Sequence, residues 1–382
     1  MQSGSTWFRR LLLPGFAFKA VVIGGGYATG RELATFFMPS GPWGGLFGMV
    51  VATCVWSTVC TLTFLIAVRI KARDYRAFFL YLLGPFWPAF EIIFVLGMIL
   101  ILSVFAAAAG AIGQALFGWP TIAGALLLVG AITIFATFGN ESVERLFKYV
   151  SFFLYGTYAL FLALALTKFS APIAKAFETP VGQGWFTGGL TYAGYNVVGA
   201  VLILPVMRHL HRPRDAVVAG FLSGPLAMAP AFLFFIAMCA FYPAIASQTL
   251  PSDYLLERLD LPAFRLIFQA MIFAALLESG TGQIHAINER IAHAHAKRRD
   301  TEMSNTYRGA ITVAILLSAI FVADRIGLVA LIAHGYSWLA AAFIAIYVLP
   351  LLTIGIWRLL NDRAPPVRPC SAQKASPPGN SR

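Results

Sequence analysis

Three stretches of this chain carry polar and charged side chains between apolar flanks, and each has a composition suited to holding a ligand. The first is Gly24-Gly25-Gly26-Tyr27-Ala28-Thr29-Gly30-Arg31-Glu32, and the second is Gly188-Gly189-Leu190-Thr191-Tyr192-Ala193-Gly194-Tyr195-Asn196. The third starts at Glu278 and continues through Ser279, Thr281 and Gln283. Glycine-rich breaks free backbone groups that persist away from water only where they line a cavity or bind something. The N–H groups that open the half-helix after a break suit an anionic group such as a carboxylate, and the carbonyls before it suit a cation. Packing is the competing explanation for the glycines, since small residues also let helices approach closely. It accounts for Gly188 and Gly189 more readily than for a run followed by Arg31 and Glu32, because each charge at mid-membrane depth costs about 2.5–3.5 kcal/mol on insertion scales.

The elements that position these runs follow from composition. Of 382 residues, 59% are hydrophobic and 12% charged, and the mean hydropathy is +0.77, against roughly 25% charged residues in soluble domains. A water-soluble fold is excluded, and 33 Phe exclude a disordered or collagen-like chain. The chain reads as an integral membrane protein. Its net charge of +12 reflects Lys and Arg gathered in loops on one side of the membrane, with no nucleic acid implied. Cys54, Cys60, Cys239 and Cys370 show neither disulfide nor metal spacing, and His285, His293 and His295 lack carboxylate or Cys partners at ligand spacing. Gly24-Gly25-Gly26 has no P-loop Lys/Ser after it. With no nucleophile-elbow or zinc-protease motif either, an enzyme is not expected, and neither is a resident cofactor.

A ruler of about 20 apolar residues per helix predicts ten spans near 14–37, 44–69, 87–116, 120–138, 147–168, 184–207, 214–242, 262–288, 308–323 and 326–358. Residues 1–13 form a cytoplasmic N-terminal segment, 14–358 one transmembrane domain, and the proline-rich 359–382 a disordered cytoplasmic tail. Outer segments then hold only Lys168, Lys175, Arg258, Arg265 and Arg325; Arg31 lies within a span, and the rest of the 28 Lys and Arg fall inside. This bias places both termini in the cytoplasm of a bacterial-type inner membrane. The glycine-rich runs fall in spans one and six. Five spans per half make the second half enter the membrane from the opposite side, so the halves 14–168 and 184–358 form an inverted repeat whose interrupted helices meet at mid-membrane. The predicted fold class is therefore an all-α polytopic membrane protein with a 5+5 inverted repeat and helices one and six interrupted.

The runs at 24–32 and 191–196, together with Glu278-Ser279-Gly280-Thr281-Gly282-Gln283-Ile284-His285-Ala286-Ile287-Asn288-Glu289-Arg290, resemble the YkvI-type membrane proteins. That family is related to the amino acid–polyamine–cation superfamily with the LeuT-like fold, and the resemblance covers nearly the whole membrane domain. Arg31 departs from the family pattern, in which an uncharged glutamine is expected. The resemblance implies an amino-acid-type transporter. In the LeuT-like fold span eight faces the unwound first span, so Ser279 and Thr281 are expected to complete a sodium site with carbonyls near Val22, Ile23 and Gly24. Alternatively, Glu278 carries a coupling proton, or it forms a structural ion pair with Arg31.

The resulting expectation is a cation-coupled secondary transporter of a small organic solute, an amino acid or related amine, coupled to Na+ or H+. The solute is expected against Gly25, Gly26, Ala28, Thr29, Gly30, Tyr192, Tyr195 and Asn196, with its carboxylate near the N–H groups of Ala28 to Gly30. Gly24, Arg31, Glu32, Glu278, Ser279 and Thr281 are assigned to ion coupling or the gate. The partners expected are the solute and the lipid bilayer. The alternative function is a non-transporting solute sensor on the same fold.

Overall fold

A computed structural model describes residues 7–22, 25–138, 141–210, 212–299 and 305–361. These residues are helical throughout, with short connections. Among the described residues, six helices are long and apolar enough to cross a membrane unaided: Met38–Ile70, Tyr75–Phe117, Pro213–Cys239, Pro262–His285, Gly309–Ile326 and Leu328–Asn361. They correspond to expected spans two, three, seven, eight, nine and ten. Span four, Thr121–Phe138, is shorter, and span five bends by 74° where Phe153–Lys168 meets Ser170–Ala176. Spans one and six fall short of the length criterion because both are broken. The first runs as Leu13–Val22, Gly25–Ala28 and Arg31–Phe36, and the sixth as Trp185–Asn196 and Gly199–Leu202.

Several boundaries differ from the sequence expectation. Helix begins at Phe8, inside the segment expected as a free N-terminus. Arg10 donates to both carboxylate oxygens of Asp215 at 2.6–3.1 Å, tying this first turn to the start of span seven. Helix continues to Asn361, past the expected tail boundary, and span eight extends to Arg299. Tyr75–Leu83 and Pro251–Leu259 are helices where loops were expected. The turn at Gly139-Asn140 and the tail from residue 362 lie outside the described residues.

The spans sort into two groups. Spans one, two, six and seven pack together, with two against seven the most extensive contact; spans three, four, eight and nine form the other group, and span ten leans on six and three. Two and seven are equivalent positions of the two halves, as an inverted repeat requires. Glycine permits their close approach. A Cβ at Gly220 would fall on the Thr61 backbone, and one at Gly224 on the Thr53 carbonyl and Ser57. Ser57 Oγ then donates to Phe221 O at 2.8 Å. Trp56, fully buried, donates from its indole to Ala193 O of span six at 3.2 Å. In lipid, such small-residue seams and interhelical hydrogen bonds replace the hydrophobic effect as the source of association.

Replacing Gly220 by Val is expected to wedge spans two and seven apart at a cost of about 1–3 kcal/mol, the usual range for overpacking. A lowered thermal midpoint of the detergent-purified protein is the readout, and an unchanged midpoint would remove this seam from the account of stability.

Candidate functional site

The break in span one is made by Gly30, which takes φ 76°, ψ −4°, a left-handed conformation that is cheap only for glycine. A Cβ there would also lie 2.9 Å from the Phe234 ring and 3.2 Å from Pro251. Several of the freed backbone groups find partners within the fold. Gly30 N–H donates to Tyr27 O at 3.0 Å, and Arg31 N–H to Thr29 Oγ1 at 3.2 Å. The Thr29 carbonyl accepts from Ser252 N–H at 3.0 Å, so the helix Pro251–Leu259 is bonded directly to the break.

Span six breaks later than its glycines suggest. Gly188 and Gly189 are helical, and a Cβ at either would strike the Phe36 or Gly48 carbonyl, so this pair serves close packing. The interruption falls at Val197–Val198, between the two helical pieces, where tight turns replace the regular ladder.

Between the two breaks lies a cavity of about 320 Å³, walled by spans one, three, six, eight and ten. Its floor is made by the Leu13–Val22 piece of span one and the Gly199–Leu202 piece of span six, where Ala20, Val21 and Leu202 are exposed. Its opposite end is closed. There Tyr27, Glu32, Tyr195 and Tyr336 are each at most 5% exposed. Tyr195 donates to Glu32 Oε2 at 2.6 Å, and its ring lies 4.4 Å from that of Tyr336. Above them Tyr192 is wedged among Phe36, Phe37 and Trp56.

The residues singled out in the sequence therefore occupy distinct places. Val22, Glu32, Tyr195, Asn196 and Ser279 line the cavity. Tyr192 does not; its hydroxyl is buried with no hydrogen-bond partner. Ala28 lies on the wall of a second, largely apolar cavity of about 260 Å³ shared with Tyr155, Tyr158 and Leu233. Thr29 is fully buried and holds the break from within. Gly25 and Gly26 form the short turn Gly25–Ala28; Ile23 and Gly24 lie outside the described residues. Thr281 is 6% exposed, and its Oγ1 is buried without a hydrogen-bond partner on the helix that packs against the Gly25–Ala28 turn.

Arg31 turns away from the cavity. Its guanidinium donates to the carbonyls of Ala246 at 2.9 Å and Gln248 at 2.6 Å and to Thr35 Oγ1 at 3.1 Å. These bonds fasten the connection that leads into the outer helix Pro251–Leu259. Glu278 lies on span eight within electrostatic reach of Tyr155 on span five. The same outer helix is held from its other side: Asp253 accepts from Arg265 at 2.6 and 2.7 Å and from Gln269 at 2.9 Å. Phe94, Met98 and Phe105 of span three also line the cavity, and nothing distinguished them in the sequence from other apolar residues of a monotonous span. Among the described residues, no three His, Cys, Asp or Glu come together in a metal-binding group.

A multi-pass membrane protein with two interrupted helices meeting at a buried cavity has the LeuT-like fold, and known proteins agree. The chain is 23% identical over 287 residues to the uncharacterized membrane protein YkvI of Bacillus subtilis, covering 72% of this chain and 79% of that one. Among solved structures, a manganese transporter of Eremococcus coleocola superimposes with a TM-score of 0.57 at 13% identity, over 92% of this chain and 80% of that one. Mhp1 in its inward-facing conformation gives 0.57 at 14%, over 87% and 76%. MhsT in complex with L-phenylalanine gives 0.53 at 15%, over 91% and 96%. No protein-family model matches the sequence.

Removal of the Arg31 side chain, as in Arg31→Leu, is expected to free the 246–248 connection. Hydrogen bonds from charged groups contribute about 1.5–3 kcal/mol each, so the thermal midpoint falls and protease cuts faster between residues 240 and 260. Wild-type resistance in that segment would contradict the role given to Arg31.

Proposed function

We propose that the protein is a secondary transporter that carries a small organic solute, an amino acid or related amine, across a bacterial-type inner membrane by alternating access and coupled to a cation. The observation that carries this reading is the cavity itself. It sits where the two broken spans meet, is sealed at one end by Tyr195, Glu32 and Tyr336, and continues at the other toward exposed Ala20 and Val21 before the break of span one and Leu202 after the break of span six. With both termini in the cytoplasm, as the Lys and Arg distribution favours, this is a state closed to the outside. Two neighbours of the same fold are named as a manganese transporter and a Na+-coupled sialic acid symporter, and a third, MhsT, is in complex with L-phenylalanine. A rigid movement of one helix group against the other would break the Tyr195–Glu32 contact and open the cavity outward.

Coupling is assigned to the contact of spans one and eight. The buried, unpartnered Thr281 Oγ1 supports it, because a buried hydroxyl without a partner is costly and hard cations take oxygen ligands. Thr281 and Ser279, with backbone oxygens at Val22, Ile23 and Gly24, form the set that would hold Na+. Glu278 is the carboxylate that would carry H+ in its place.

The test is uptake of a radiolabelled amino-acid mixture into proteoliposomes under an inward Na+ gradient, an inward H+ gradient, or neither. Accumulation under one gradient is expected. Thr281→Val should reduce it at least tenfold if Na+ couples, and Glu278→Gln if H+ does. No uptake under any gradient, with a solute still raising the thermal midpoint, would replace transport by sensing.

A further inference from the structure

Among the described residues that line the cavity between spans one and six, Glu32 is the one that carries a formal charge. Its carboxylate is buried and receives one hydrogen bond, from Tyr195 to Oε2. No ion pair involving it occurs among the described residues. The adjacent Arg31 offers no compensation, because its guanidinium is committed to the carbonyls of Ala246 and Gln248. A second oxygen on the same wall, Gln283 Oε1, is buried and lacks a donor. Asn196 and Ser279 add neutral polar groups, and most of the remaining surface is apolar or aromatic, with Phe94, Met98, Phe105 and Tyr336 supplying much of it.

The cavity thus holds one carboxylate with a single hydrogen bond and no counter-ion, and one further oxygen without a donor. Burying an isolated carboxylate is expensive unless it is paired, and an ammonium group brings both a positive charge and three N–H donors. The flanking rings suit a cation and an apolar body. A ligand carboxylate finds the reverse. Among the described residues no lysine or arginine lines the cavity, and the amides of Gly30 and Arg31 at the break are already bonded to Tyr27 O and Thr29 Oγ1. A second negative charge brought beside Glu32 would be repelled in a low-dielectric site.

The geometry points to a protonated amine with an apolar or aromatic body, and no carboxylate of its own, as the ligand of this cavity, with Glu32 as its counter-ion. This narrows the solute class of the transporter reading and rests on it for the claim that the cavity is a solute site. It also replaces the expected carboxylate contact at Ala28 to Gly30, since part of the donor set for that contact is already used within the fold.

Three probes with one ring and different charge decide the matter: 2-phenylethylamine, phenylalanine and 3-phenylpropionate, titrated at pH 7.4 into the full-length protein in nanodiscs by isothermal calorimetry. The amine is expected to bind at least tenfold more tightly than phenylalanine, and phenylpropionate not measurably. Glu32→Gln should weaken amine binding at least tenfold, with Glu32→Asp in between. The inference is overturned if phenylalanine or phenylpropionate binds as tightly as the amine, if the amine does not bind, or if a folded Glu32→Gln protein binds it unchanged. The wild-type ranking stands as a test even if the variants do not fold. Labelled uptake separates this inference from the transporter reading. Amine binding that needs Glu32, without gradient-driven uptake, would sink transport alone; accumulation of phenylalanine against which the amine does not compete would sink the amine assignment alone.

Discussion

A backbone amide or carbonyl buried in a membrane without a partner costs several kcal/mol, and the first span of this protein is broken at a depth where water is not at hand to supply one. The structure depends on how that debt is settled. The Gly30 turn closes on Tyr27, the Thr29 side chain caps Arg31, and the Thr29 carbonyl reaches out to the Ser252 amide. One consequence is mechanical. The helix Pro251–Leu259 is anchored on the broken backbone, so this helix and the break form one hydrogen-bonded unit. Arg31 extends the unit to Ala246 and Gln248, and Asp253 with Arg265 and Gln269 ties it to span eight.

Two neighbouring charges divide the labour on either side of this unit. Arg31 and Glu32 are consecutive, and consecutive helical residues point about 100° apart, so one faces the outer loop and the other the cavity. A cation held by backbone carbonyls needs no counter-ion on its own side of the helix, which leaves the Glu32 charge uncompensated on the cavity side. The Tyr195 hydroxyl stabilises that carboxylate and at the same time joins spans one and six at the closed end. A single 2.6 Å hydrogen bond therefore joins the cavity's carboxylate to the contact between spans one and six.

Packing elsewhere serves to bring the halves close enough for this arrangement. Gly188 and Gly189 let span six lie against the Phe36 and Gly48 carbonyls, and Gly220 and Gly224 let span seven lie against span two. Helices in lipid gain little from apolar contact alone, because the lipid tails offer the same contact. Backbone proximity and the hydrogen bonds it permits, such as Trp56 to Ala193 O and Ser57 to Phe221 O, supply the specificity.

The membrane class, the placement of the spans and the break in the first of them were legible in the chain, because hydropathy over about 20 residues and a glycine run beside two charges are local signals that lipid makes costly to ignore. The same signal misplaced the second break by a few residues. Glycine marks both unwinding and close packing, and only the neighbours, here the Phe36 and Gly48 carbonyls, say which. The helix Pro251–Leu259 read as a loop because it carries Asp253, Glu257 and Arg258, and its partner Thr29 is more than 200 positions away. The cavity lining from span three had no sequence mark at all, since Phe94, Met98 and Phe105 differ from their neighbours only in the direction they face. That direction, and the turning of Arg31 away from Glu32, are decided by long-range packing. Local periodicity states which residues are apolar or charged, but the face each presents is settled only when the helices have docked.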